Sequence, residues 1–125
     1  MSLEGKLIGI GLLFVLHFVL GYWLSSTGKP FNVAVLTAHK LASLGALVLI
    51  LLTVRQVWGS VNVGGLAVVA IAVTVLLFVV TIGTGGWLSA ENPDNATVSD
   101  IHRFVPYLVV LSTLATGYLL VWNPS

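Results

Sequence analysis

Four runs of apolar residues, over 7–24, 35–57, 61–88 and 101–121, contain no acidic residue between them. Each has about 18 residues or more, enough at ~1.5 Å per residue to cross a hydrocarbon core of about 30 Å. Within lipid, only helices and closed barrels satisfy every backbone polar group. The runs lack the short alternating pattern of barrel strands. They therefore predict an all-α fold, a four-helix transmembrane bundle running up-down-up-down. Composition agrees, with 58% hydrophobic and 7% charged residues, against about 25% charged in a soluble domain.

Short connections make this one domain over 1–125, with successive helices as antiparallel neighbours. The connections are a polar turn at 25–30, a tight Gly59-Ser60 link and a longer loop, "AENPDNATVS", at 90–99. Asp100 or Ser99 is the expected cap of the fourth helix. Trp23, Trp58, Trp87 and Trp122 each stand at or beside the C-terminal end of a run, where tryptophan marks the membrane interface. Lys6 followed by an apolar run resembles a signal peptide, but no small-residue cleavage site follows, and the run reads as a retained helix. Both termini fall on one side of the bilayer. Lys6 and Arg55 lie on that side, with Lys29, Lys40 and Arg103 toward the other. If Lys40 and Arg103 serve a site and are set aside, the positive-inside rule favours cytoplasmic termini.

The chain has three histidines, and their placement carries more than their number. His17 lies near the exit of the first helix, His39 near the start of the second and His102 near the start of the fourth. Helix direction then brings all three into one half of the bilayer, roughly 5–12 Å below one surface. An ionisable group inside a membrane segment usually faces protein and often serves function. A helix-end histidine bonded to a neighbouring carbonyl is the plainer reading of any one alone.

Helix 2 reads "TAHKLASLGA" and helix 4 "DIHRFVPYLV", so a basic residue follows the histidine in both. Lys40 and Arg103 can snorkel back to the near surface and hold an anionic group there. Ala42, Ser43 and Ala46 follow His39 at helical spacing, and Gly21 follows His17. Such small residues leave room for something flat, or else permit close helix packing. The same packing reading applies to Gly5-x-x-x-Gly9 and Gly83-Thr84-Gly85-Gly86. Pro106 cannot donate to the His102 carbonyl and is expected to bend helix 4.

The expected ligand is heme b, with His39 and His102 as the axial pair. The absence of cysteine excludes disulfides, thiolate metal sites and covalent heme attachment. Lys40 and Arg103 would neutralise the propionates. His17 could replace either ligand, hydrogen-bond a quinone, bind another pigment or metal, or have no role in a site. Zinc or copper on His17, His39 and His102 ranks lower, because no carboxylate or cysteine completes that set.

With "AHK" in helix 2, "IHR" in helix 4 and four membrane helices, the chain resembles the b561-like membrane cytochromes b. That resemblance implies heme between diagonal helices and electron exchange with quinone or a redox partner. The chain departs from the two-heme pattern, having three histidines near one surface and none in helix 3, so a second heme is not expected.

The alternative is a non-catalytic accessory subunit of a larger redox or photosynthetic membrane complex, which the minimal loops and small size also suit. Either protein would contact the lipid bilayer and admit a homo-oligomer. A channel has less support, since no polar run crosses all four helices. Thr74, Thr81, Ser112, Thr113 and Thr116 can bond backbone carbonyls locally. The net charge of +1 does not point to nucleic acid. No nucleophile–histidine–carboxylate set, phosphate loop or carboxylate pair supports hydrolysis, so an electron carrier or subunit is expected rather than a stand-alone enzyme.

Overall fold

The computed structural model describes residues 2–59, 63–90 and 95–122, except the Trp122 side chain. Ser60 of the expected tight link, Glu91 and Asp94 of the long loop, and the Trp122 ring lie outside the described residues. The fold is all-α, with helices α1 (Leu3–Thr27), α2 (Val33–Trp58), α3 (Gly65–Ser89) and α4 (Ala96–Gly117). A π-helical turn, Tyr118–Trp122, continues α4. All four helical spans, of 25 or 26 residues, are long and apolar enough to cross a membrane. This is a multi-pass membrane protein. Leu12, Leu41, Leu66 and Leu114, one from each helix, are 65%, 61%, 70% and 66% exposed. Such outward faces suit lipid contact rather than water.

Helix boundaries depart from the apolar runs because capping chemistry, not hydropathy, sets them. The Ser2 hydroxyl accepts from Gly5 N at 3.0 Å, which draws the polar residues Glu4 and Lys6 into α1. At its other end α1 reaches Thr27, with the Ser26 and Thr27 hydroxyls donating to the Trp23 carbonyl. The Asn32 side chain accepts from Val35 N at 3.2 Å and opens α2. The cap of α4 is Asn95, accepting from Val98 N at 3.2 Å. Ser99 and Asp100 thus lie within the helix rather than before it. Gly64 is extended and carries no side-chain cap, so α3 starts at Gly65 instead of 61; consecutive glycines disfavour an earlier start. Helix α4 runs on through Pro106, which is buried.

The chain divides into two compact units, Met1–Arg55 and Gln56–Ser125. In the first, a Cβ on Gly9 would lie 3.0 Å from the Leu49 side chain, one on Gly45 3.3 Å from Leu13, and one on Gly21 3.0 Å from His39. Partner numbers fall along α2 as they rise along α1, so these helices are antiparallel. Gly9 of the Gly-x-x-x-Gly pattern packs inside its own hairpin.

In the second unit, Thr74 bonds Ser112 and Thr116, while Thr84 bonds His102, so α3 and α4 are antiparallel too. Lipid supplies little hydrophobic drive between helices, so packing and polar links hold such a pair. The Thr74 hydroxyl also bonds the Ala70 carbonyl at 2.8 Å, and Thr116 donates to Ser112 O at 2.8 Å. The expected local role of these hydroxyls is therefore joined by one across the helices. Thr81 keeps the purely local bond, to Leu77 O at 2.8 Å. Thr113 Oγ1 is buried with no hydrogen-bond partner among the described residues, so its expected carbonyl bond is not made.

Candidate functional site

Of the three helices that carry a histidine, α2 and α4 are built on one plan. Asn32 caps α2 and Asn95 caps α4, each through the amide of a valine three residues on. Counting from Val33 and from Ala96, His39 and His102 are each the seventh residue of their helix. The shared pattern is Asn-x-x-Val-x-x-x-His followed by Lys40 or Arg103. The stripe beyond the histidine matches as well. Ala42, Ser43 and Ala46 are buried on α2, and Val105, Pro106 and Val109 on α4. These fall three, four and seven residues past each histidine, the spacing of one helical face.

Each imidazole lies against a glycine of the preceding helix. A Cβ on Gly21 would stand 3.0 Å from His39 Cε1, and a Cβ on Gly85 2.9 Å from His102 Cε1. Any larger side chain there would displace the ring. Gly21 therefore makes room for an imidazole of its own hairpin. Ala42 and Ala46, at 2% and 1% exposure, are packed against protein. That burial fits the close-packing reading of the small residues.

The ring nitrogens are fixed by their partners. His39 Nδ1 lies 3.0 Å from the His17 carbonyl. A carbonyl oxygen can only accept, so Nδ1 carries the proton and, in the neutral ring, the lone pair is on Nε2. His102 Nδ1 lies 2.9 Å from the Thr84 hydroxyl. That hydroxyl has carbonyl acceptors for its single proton, Val80 O at 2.8 Å and Thr81 O at 3.1 Å. With its proton on either carbonyl, the hydroxyl oxygen is open to accept from His102 Nδ1. In both rings Nδ1 is thus the nitrogen hydrogen-bonded to an oxygen of the preceding helix. A metal-bound histidine commonly has this form, its second nitrogen donating to a carbonyl or other oxygen.

His17 is buried at 7% exposure. Its ring stacks on His39 with centroids 4.2 Å apart and planes 16° apart, and meets Phe18 edge-on. As placed, His17 and His39 cannot be the axial pair of one heme, since a porphyrin would have to lie between stacked rings. Lys40 and Arg103 are exposed, one residue on from their histidines and turned away from the buried stripe. Among the described residues, no three His, Cys, Asp or Glu side chains gather to hold a metal ion.

The structure thus brings His17 to His39, and seats His102 on Thr84 and Gly85. Thr84 and Gly85 escaped the sequence reading because "GTGG" looks like a packing motif. The signal that would have found the common seat is the repeat Asn-x-x-Val-x-x-x-His-basic. No protein-family model, curated protein or solved structure matches the chain.

Proposed function

We propose that this is a membrane electron-transfer protein holding heme b, with His39 and His102 as axial ligands, like the b561-like cytochromes it resembles. One observation carries the reading: two separate hairpins present a histidine at the same helical position, against a glycine, with Nδ1 hydrogen-bonded to an oxygen of the preceding helix. An ordinary helix-end histidine has no need of that repeated seat. The donor set fits heme iron, which takes neutral imidazole nitrogen, and in neutral His39 the bond from Nδ1 to the His17 carbonyl leaves the lone pair on Nε2. When bound, heme supplies a one-electron change at its iron.

The chain's own residues hold and tune. Lys40 and Arg103, exposed beside their histidines, would each give a propionate a charge-assisted hydrogen bond, worth about 1.5–3 kcal/mol. His17 supports the site through its carbonyl and its stacked ring rather than as a ligand. Quinone or a partner subunit is the proposed exchange partner, and the termini are assigned to the cytoplasmic side.

The test is the absorption spectrum of the full chain purified from heme-sufficient cells, oxidised and then reduced. A reduced b-type spectrum with about one heme per chain is expected. A folded but colourless protein would end this reading, leaving the accessory-subunit alternative. Lys40→Gln and Arg103→Gln should each keep the heme and change its affinity or reduction potential. No change from either would make them plain interface residues.

A further inference from the structure

The two histidine seats differ in one respect, and the difference lies at Thr84. On α1, the carbonyl that holds His39 belongs to His17, four residues before the notch glycine Gly21. The corresponding carbonyl on α3, four residues before Gly85, is that of Thr81. His102 is held instead by the Thr84 hydroxyl, which in turn reaches Thr81 O at 3.1 Å and Val80 O at 2.8 Å. One hydroxyl has been interposed between imidazole and backbone. At the matching place on α1, one residue before the glycine, stands Leu20, which cannot take that role.

We infer that Thr84 is a positioning residue for His102, fixing its ring orientation and its Nδ1–H tautomer through a hydroxyl relay to the α3 backbone. Calling His102 a ligand rests on the heme proposal, whereas the tautomer claim does not. Gly85 lets the ring come close to α3, with a Cβ excluded at 2.9 Å from Cε1, and Thr84 sets the rotation of the ring in that notch. The consequence is chemical. A donor bond from Nδ1–H raises the basicity of the ligating nitrogen and so favours the oxidised, more positively charged iron. The bond that holds His39 comes from main chain and survives any substitution at residue 17. The bond that holds His102 comes from a side chain, so one axial ligand can be tuned alone.

The experiment uses the full chain in lipid nanodiscs, with ¹⁵N-labelled histidine, with and without heme. Thr84→Val keeps shape and removes the acceptor; Thr84→Ser restores it. Thr84→Cys, a poor acceptor, serves if the valine protein fails to assemble. Without heme, His102 should show a single Nδ1–H tautomer in the wild type and Thr84→Ser, and a mixture in Thr84→Val. With heme, Thr84→Val should keep the heme stoichiometry and raise the reduction potential, and Thr84→Ser should return it. An unchanged tautomer and unchanged potential in Thr84→Val would overturn the inference. A tautomer change in a chain that takes up no heme would uphold the role of Thr84 and refute the heme proposal instead.

Discussion

His17 and His39 lie face to face, ring centroids 4.2 Å apart, while the backbone oxygen of one accepts from the ring of the other at 3.0 Å. Because that bond uses main chain, it does not need the His17 side chain, whose ring supports His39 separately by stacking. Removing the stacked ring and removing the hydrogen bond are therefore separable experiments, and the first leaves the His39 tautomer intact.

The glycine notches give a stability prediction with an internal control. Gly21→Ala and Gly85→Ala would drive a methyl into an imidazole at 3.0 and 2.9 Å, and overpacking of this kind costs about 1–3 kcal/mol. Gly11 and Gly83 face nothing within 4 Å, so alanine there should stabilise by up to about 1 kcal/mol through helix propensity alone. Unfolding by SDS titration in mixed micelles should separate the two pairs by sign.

The hydroxyls of Thr74, Ser112 and Thr116 link α3 to α4. Thr74→Val keeps the volume and removes the link. The expected loss is about 0.6 kcal/mol, with ~1.7 as the upper range for polar contacts between membrane helices. The same titration measures it. Thr81→Val removes a hydroxyl whose bond is local, to Leu77 O, and should cost less.

Asn32→Ala and Asn95→Ala each remove one cap, at about 0.5–2 kcal/mol. Their common geometry, 3.2 Å to the third helical amide, predicts similar losses. Asn→Asp at either position should be close to neutral, because aspartate caps equally well. Stability by SDS titration, with helicity by circular dichroism, checks both.

The membrane spans were legible because a run of about 18 apolar residues has few other uses. The helix starts were less so. Residues 96–99 read as loop, yet Asn95 caps them into α4; hydropathy does not register a cap. For the site, the repeated histidine–basic pair stood out in sequence. What holds each ring did not, since it depends on which residues of the preceding helix face it. Gly21 and Thr84 are local to His39 and His102 in space, but 18 residues from each in the chain. His17 could be given several roles from sequence; only its stacking geometry sets it beside His39 rather than opposite it.

Topology is open to a direct check. If all four candidate spans cross the bilayer, an up-down-up-down arrangement puts both ends of the chain on one side, which we propose is the cytoplasmic one. Reporter tags before Ser2 and after Ser125 should report the same face, and opposite faces would refute the up-down-up-down arrangement.

The central claim, that His39 and His102 are the axial pair, is tested most directly by the spectra of three single-residue variants beside the wild type. His39→Ala and His102→Ala should each lose the heme or its six-coordinate bis-histidine spectrum. His17→Ala should keep both, because the carbonyl that orients His39 remains. A six-coordinate bis-histidine spectrum that persists in His39→Ala and disappears in His17→Ala would contradict the account and assign His17 as the ligand.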